Sequence, residues 1–256
     1  MKRTFLAGTL FLVVIAAAPN TNLLAQETLS EVLERAHAAH GGRWRSGEIA
    51  DWRCQGTITH FAVDGSERTF DIELLRKGLQ KIQTIVKQPA GELRLGSDGI
   101  RTWHAIGGFS ALAQGEALDF IETNTTRSLQ TLFNYQTVPL ILSDLGTRAK
   151  GPGVGPGRKV RVVQAEDNKG RLTRYLVDEA SGAITGLEIE IGRKRSAFGG
   201  GFIPVMEVYA FGDFRQIQGI KTPFRIERFR SGTKVEEIRI AVVSYNVGIS
   251  DSSFKP

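Results

Sequence analysis

The feature that most constrains the fold is a series of short β-rich segments in about the last hundred residues, from Arg158 to Pro256. The segments are RKVRVVQAE, RLTRYLVD, ITGLEIEIGR, PVMEVYAFGDF, KTPFRIERF and EEIRIAVVSYNV, and turns rich in Asp, Asn, Gly and Ser separate the first three. This pattern is typical of antiparallel strands joined by hairpins. A sheet of this length must close or be covered, because an open apolar face would aggregate.

The N-terminal half adds strands of the same kind. Between residues 49 and 106, apolar and polar residues alternate in four or five runs, and the dipeptide Asp98-Gly99 predicts a tight hairpin between two of them. Ahead of these strands, Thr28 and Glu31 have the spacing of a capping box, which predicts an amphipathic helix that Gly41-Gly42 ends. We expect the apolar side of this helix to lie on the sheet.

The middle of the chain is richer in helix formers. Residues 109–146 are predicted to form a helical lid insert of one to three short helices, with breaks at Gly115 and Pro139 and a cap at Thr125-Thr126. This insert is the natural cover for the apolar face of the sheet. The sequence GPGVGPG at 151–157 then predicts a flexible connector between the two halves.

The N-terminus has the pattern of a secretory signal peptide. Met1-Lys2-Arg3 is basic, Thr4 to Ala18 is apolar, and a short segment ending at Ala25 is polar and then small, so residues 1–25 are predicted to be removed. The apolar run is short for a membrane span, and it holds no cysteine that could carry a lipid anchor. The mature chain, 26–256, is therefore expected to be one exported, soluble domain.

Composition excludes several classes of protein. The formal charge of +6 permits contact with anionic head groups, although a surface of mixed charge is the simpler interpretation. The single cysteine, Cys54, rules out an intramolecular disulfide and is expected to be a buried thiol. Alternation of Phe and Arg at 224–230 is what any half-buried strand shows, so no nucleic-acid partner is predicted.

No local motif for catalysis is present. The sequence contains no Gly-x-Ser-x-Gly, no Cys-x-x-Cys and no paired carboxylate signature, and GPGVGPG precedes a strand rather than a helix. His37 and His40 could share a metal ion, but no third ligand joins them, so we interpret them as a solvated polar face of the first helix. His60 and His104 are interpreted as partly buried structural residues. We expect no enzyme activity, no cofactor and no metal.

The order of these elements resembles the LolA/LolB-like superfamily of periplasmic outer-membrane lipoprotein-sorting proteins over essentially the whole mature chain. The most specific pieces are Asp98-Gly99 with Trp103, the hairpin from Tyr175 to Asp178, the turn from Asp213 to Pro223, and Phe254-Lys255-Pro256. The resemblance implies a mainly β (α+β) fold. In that fold, a strongly curved antiparallel β-barrel remains unclosed and is covered by an N-terminal helix and the central insert. It also implies a periplasmic location and a hydrophobic cavity for acyl chains.

The functional hypothesis is therefore a binder or carrier of lipoprotein acyl chains or other lipid, involved in outer-membrane lipoprotein sorting. We expect a monomer that makes transient contacts with the membrane or with envelope proteins. The alternative is an envelope sensor or adaptor that binds a protein partner through the insert or through Phe198 to Phe202. Ten residues are predicted to line the cavity: Trp52, Ile72, Leu74, Trp103, Leu129, Phe133, Leu187, Ile189, Val208 and Phe211.

Overall fold

The computed structural model describes residues 27–45, 47–149, 158–195 and 199–256. The predicted signal peptide, 1–25, and the predicted connector, 151–157, lie outside the described residues. The same holds for Phe198 and for the side chain of Phe202, two residues of the predicted protein contact.

The described chain is built of thirteen strands, three α-helices and one short 3-10 helix. In chain order they are α1 (Leu29–Ala39), β1 (Asp51–Phe61), β2 (Glu67–Lys77), β3 (Lys81–Gln88), β4 (Gly91–Asp98), β5 (Thr102–Ile106), β6 (Phe109–Leu112), α2 (Gly115–Thr126), α3 (Leu129–Phe133), β7 (Leu140–Arg148), β8 (Val160–Asp167), β9 (Leu172–Asp178), β10 (Ile184–Arg195), β11 (Phe202–Ile217), β12 (Ile220–Arg230), β13 (Thr233–Tyr245) and the 3-10 helix (Asp251–Phe254).

All thirteen strands belong to one antiparallel sheet with β6 at one edge and β7 at the other. Its order is β6 to β1, then β13 to β7, so two meanders meet where β1 pairs with β13. Ile72 on β2 and Ile189 on β10 face the same cavity, although five strand spacings, or about 24 Å, would separate them in a flat sheet. The sheet is therefore strongly curved, and the predicted fold class, an antiparallel barrel that does not close, is confirmed.

Helix α1 begins and ends as its sequence predicts. Glu31 N donates to Thr28 Oγ1 at 3.3 Å, and Thr28 N donates to a Glu31 carboxylate oxygen at 2.7 Å, which completes the capping box. At the other end, Gly41 has a φ of +93°, and a Cβ atom there would lie 2.1 Å from the carbonyl oxygen of Gly219. Only glycine allows the end of α1 to sit this close to the turn between β11 and β12.

The interpretation of His37 and His40 as a solvated face is wrong, because both side chains are buried. His40 is enclosed where the end of α1 meets the sheet. Its Nε2 accepts a hydrogen bond from Ile184 N at 2.9 Å, and its Nδ1 lies 3.1 Å from the carbonyl oxygen of Lys221. This pattern requires a neutral ring with its proton on Nδ1. His40 therefore joins α1 to β10 and β12.

Burial lowers the pKa of His40 to about 4 from its ordinary value of 6.5. Between these two values the unfolded chain binds more protons than the folded chain, so stability should fall as the pH falls from about 6.5 to about 4. The contribution of this one group is up to about 3 kcal/mol. Urea unfolding of wild type and of His40→Gln at a series of pH values gives this contribution as the pH-dependent difference between their free energies of unfolding. A stability difference between the two proteins that does not change with pH would contradict this role.

The helical insert is shorter than the predicted range of 109–146. Only α2 and α3 are helical, and the flanking segments form the two edge strands β6 and β7. Gly107 and Gly108 both have positive φ values, so the chain folds back and pairs β6 with β5. The cap of α3 is Ser128, whose Oγ accepts from Thr131 N at 3.1 Å, and Thr125-Thr126 instead forms the last turn of α2.

The C-terminal segment lies against the convex face of the sheet. The side chain of Phe254 is fully buried, and its carbonyl oxygen accepts a hydrogen bond from Trp103 Nε1 at 2.9 Å. The carboxylate of Asp51 holds the preceding residues by accepting from the backbone N–H groups of Val247, Gly248 and Ile249 at 2.7, 3.1 and 3.0 Å. The segment is thereby fixed at both ends.

Candidate binding cavity

Two adjoining cavities lie between the concave face of the sheet and the helices α2 and α3. The larger, about 180 Å³, includes α2 residues in its wall and is called the α2 cavity. The smaller, about 150 Å³, extends toward Trp44 and is called the α3 cavity. Together they reach the lower end of the volume range of about 300–1,000 Å³ that is typical of small-molecule sites. Both are lined by Trp52, Leu74, Arg76, Ser128, Leu129, Phe211 and Ile226.

The walls are mainly apolar because alternate residues of the curved strands point inward. Ile72 and Leu74 on β2 face Leu187 and Ile189 on β10 across the α2 cavity. The α3 cavity is closed at its far end by Trp44, Cys54, Val243 and Tyr245. Burial raises the pKa of the Cys54 thiol to about 12, so this predicted buried thiol stays neutral. An apolar chain can occupy such a space without stripping water from buried charges.

Most of the residues predicted to line a cavity lie in the wall of the α2 cavity. Those that do are Trp52, Ile72, Leu74, Leu129, Leu187, Ile189 and Phe211. Trp103 does not, because its register places it on the convex face beneath Phe254. Phe133 packs under α1, with its ring centroid 5.1 Å from that of His37. Val208 lies three positions before Phe211 along β11, so the two side chains point to opposite faces.

A buried arginine in the cavity wall fastens the helical cover to the sheet. Arg76 donates to the carbonyl oxygens of Gly78 at 3.2 Å and Leu79 at 2.8 Å, and to those of Asn124 at 2.8 Å and Thr125 at 3.1 Å. Burial lowers its pKa to about 10, so the side chain remains cationic at neutral pH. Its charge lies at the C-terminal end of α2, where a cation is favourable. The end of α2 is thereby bonded to the hairpin between β2 and β3.

We expect Arg76→Ala to loosen α2 and to lower the free energy of unfolding by about 1–3 kcal/mol, because four hydrogen bonds from a charged donor to backbone carbonyl groups are lost. Hydrogen exchange of the α2 amides should become faster, while that of the α1 amides should not change. Arg53→Ala, which removes an exposed arginine from β1, is the matched control. Unchanged exchange in α2 would show that apolar packing alone holds the helix.

A cluster of polar side chains lies at the other side of the α2 cavity, on the neighbouring strands β11, β12 and β13. Arg228 donates to Glu236 at 2.9 Å and to Glu207 at 3.4 Å, and Tyr209 Oη donates to Glu207 at 3.2 Å. His60 Nδ1 lies 3.4 Å from a Glu236 oxygen. Burial raises the pKa values of Glu236 and Tyr209. The cavity wall is thus mainly apolar, with the cationic Arg76 on one side and, on the other, a polar border whose charges are paired with each other.

Two features are absent from the described ranges of the chain. Within them, no three His, Cys, Asp or Glu side chains lie close enough together to hold a metal ion. No helix in the same ranges is both long enough and apolar enough to cross a membrane.

Comparison with known proteins identifies the fold. No family model and no curated protein matches the sequence. Among solved structures, a LolA superfamily protein from Nitrosomonas europaea matches with a TM-score of 0.60 at 14% identity, covering 90% of this chain and 98% of that one. A domain named for outer membrane lipoprotein sorting, from Vibrio parahaemolyticus, matches with a TM-score of 0.58 at 13% identity, covering 87% and 95%.

A third match is a DUF1329 family protein from Desulfovibrio piger, with a TM-score of 0.60 at 12% identity, covering 90% of this chain and 98% of that one. These matches span nearly the whole length of the other three proteins, so the likeness includes the sheet and its helical cover. At such identities the likeness is one of fold. The chain therefore has the LolA-like fold that its sequence resemblance predicted.

Proposed function

We propose that this protein is a non-enzymatic periplasmic binder or carrier of lipid, and that its cargo is the acyl chain of a lipoprotein or of another lipid. The observation that carries the proposal is the pair of apolar cavities between the curved sheet and the helices α2 and α3. The LolA-like fold supports it, because one protein of this fold is named for outer membrane lipoprotein sorting.

The energetics of burial favour an alkyl ligand. Each methylene group that leaves water contributes about 0.8 kcal/mol, so a chain of roughly ten buried methylenes gains about 8 kcal/mol before the loss of its own freedom is subtracted. Release needs no broken strand pairing, because α2 and α3 lie outside the sheet ladder. Movement of the helices against the sheet would open the cavity while the strands stay paired. This combination suits a carrier that must both hold and deliver its cargo.

The polar groups around the cavity support binding rather than catalysis. Arg76 is occupied by backbone carbonyl groups, and Arg228 is paired with Glu207 and Glu236. An arrangement of this kind fixes the walls of a site, because each of these cations is already held by its own hydrogen-bond acceptors. The alternative hypothesis, an envelope adaptor, stays a prediction, since part of its contact, Phe198 to Phe202, lies outside the described side chains.

A titration tests the proposal. A fluorescent long-chain fatty acid added to the purified protein should bind saturably at one site, and an unlabelled fatty acid of similar length should displace it. Affinity should rise with chain length, because each added methylene group is buried against the apolar wall of the cavity. Absence of saturable binding, or an affinity that does not depend on chain length, would overturn the proposal.

A further inference from the structure

A row of large apolar side chains crosses the N-terminal half of the sheet, from the α2 cavity to the free edge. Ile72 on β2 pairs directly with Val86 on β3, Val86 with Leu93 on β4, Leu93 with Ile106 on β5, and Ile106 with Phe109 on β6. Residues directly opposite each other in an antiparallel sheet point to the same face. All five therefore lie on the concave face, and we call them the edge track.

The edge track becomes steadily more exposed as it leaves the cavity. Ile72, which lines the α2 cavity, is 4% exposed and Val86 is 6% exposed. Leu93 is half-buried, Ile106 is 56% exposed and Phe109 is 86% exposed. Large apolar side chains grouped on an open sheet edge are uncommon in monomeric proteins unless they meet a ligand or a partner. The gradient indicates a single apolar surface that is enclosed at one end only.

Helix α2 leaves this surface open because it packs on other positions of the sheet. Its apolar side chains, among them Leu118 and Ile121, contact Ile82 on β3 and Leu95 on β4. These two positions are displaced from Val86 and Leu93 along the same strands and share their concave face. The edge track therefore runs beside the helix rather than beneath it.

We propose that the edge track is the outer part of the lipid site and that it takes the continuation of a single long alkyl chain whose inner end fills the cavities. This inference rests on the proposed function and deepens it by defining the length class of the ligand. From Ile72 to Phe109 the track crosses four strand spacings, or about 19 Å. It therefore adds the length of a long acyl chain to what the cavities hold.

The orientation of the ligand follows from the two ends of the path. The α3 cavity ends at Trp44, Val243 and Tyr245, and its wall is mainly apolar, so a charged head group there would lose its water and find few partners to replace it. At Phe109 the path meets solvent. The tail of the amphiphile therefore lies in the α3 cavity, and the end that bears the polar group leaves the protein at the β6 edge.

The other candidate occupant is a second copy of the chain joined edge to edge through β6. This strand has only four residues and follows the two glycines Gly107 and Gly108, so it offers few backbone groups for pairing. Short edge strands are one of the means by which proteins avoid such pairing. An alkyl chain needs no backbone partner and fits the row of side chains better.

The test compares three proteins with a series of saturated fatty acids of increasing chain length. They are wild type, the double variant Ile106→Ser/Phe109→Ser, and the control Ile100→Ser/Ile141→Ser. The control residues are 91% and 72% exposed and lie outside the track. Short chains should bind equally to all three proteins. Longer chains should gain affinity for wild type and for the control, while for the track variant the gain should stop and leave binding at least tenfold weaker at the longest chain.

Each other outcome has a distinct meaning. If the track variant gains affinity with chain length as wild type does, the edge track is not part of the site, and the proposed function stands. If none of the three proteins binds any fatty acid, both proposals are wrong. If the track variant loses a concentration-dependent dimer seen by sedimentation while its lipid affinity is unchanged, the track is a contact between copies of this chain and the proposal is overturned.

Discussion

Replacement of Phe254 by alanine should lower the free energy of unfolding by about 3–5 kcal/mol, the range found when a buried phenylalanine is truncated. The ring is fully buried on the convex face of the sheet, near the end of the chain. The indole of Trp103 donates to the backbone carbonyl of the same residue, so loss of the ring also removes the packing that positions this bond. Urea unfolding followed by tryptophan fluorescence measures the loss.

The matched control for this prediction is Phe109→Ala. Phe109 lies on the edge strand β6 and its side chain is exposed, so the substitution should change stability by less than about 0.5 kcal/mol. A loss below about 1 kcal/mol for Phe254→Ala would show that the C-terminal segment is not fixed on the convex face as described.

Filling the cavities with larger side chains should weaken lipid binding at least a hundredfold without unfolding the protein. Leu129 and Ile226 line both cavities, so Leu129→Trp and Ile226→Trp place indole rings where the alkyl chain is proposed to lie. If the indole rings exclude about four methylenes of the ligand, the binding free energy falls by roughly 3 kcal/mol, which corresponds to about a hundredfold increase in Kd. Filling of an existing space tends to preserve or increase stability. Fatty-acid titration and urea unfolding of the same samples separate the two effects.

The control places the same residue type on the convex face. Ile85 and Val242 are incompletely buried and lie outside both cavities. Ile85→Trp and Val242→Trp should therefore leave lipid affinity within about twofold of wild type, since solvent-facing substitutions away from a site have small effects. If the filled variants stay folded and bind lipid as tightly as wild type does, the ligand does not occupy these cavities.

The parts of the fold that could be predicted from sequence are those that local interactions determine. The capping box of Thr28 and Glu31 forms within four residues of chain. The turn at Asp98-Gly99 is likewise local, since Asp98 Oδ1 accepts from the backbone N–H groups of Ile100 and Arg101. Period-two alternation identified the strands of both halves because most of them have one buried face.

The edge strands β6 and β7 were not predicted, because they lack the buried face that produces period-two alternation. Every residue of β6 is exposed, and β7 has no fully buried residue, so neither strand shows the contrast between a buried and an exposed face. Their flanking helix formers instead suggested a longer helical insert. Strand pairing with β5 and with β8 decides their structure, and pairing partners are not visible in a single strand.

The candidate site was partly accessible to sequence reasoning. Alternation gives the inward face of a strand, which is why Ile72 and Leu74 were identified, but Val208 and Phe211 are three residues apart and cannot share a face. Arg76 was missed, although the sequence contains a signal for it. Arg76 follows Ile72 and Leu74 at the next inward-facing position of β2, where a charged residue is unexpected. The role of His40 depends on partners that are 144 and 181 residues away in the chain.

The central claim is that the space between the curved sheet and α2 and α3 holds lipid. The most direct measurement is solvent extraction of protein expressed in a bacterial periplasm and purified without detergent, followed by mass spectrometry of the extract. The account predicts a long-chain acyl lipid in wild type, and little or none in the variant with Leu129→Trp and Ile226→Trp. Wild-type protein that is repeatedly free of lipid, or a filled variant that carries as much lipid as wild type, would contradict it.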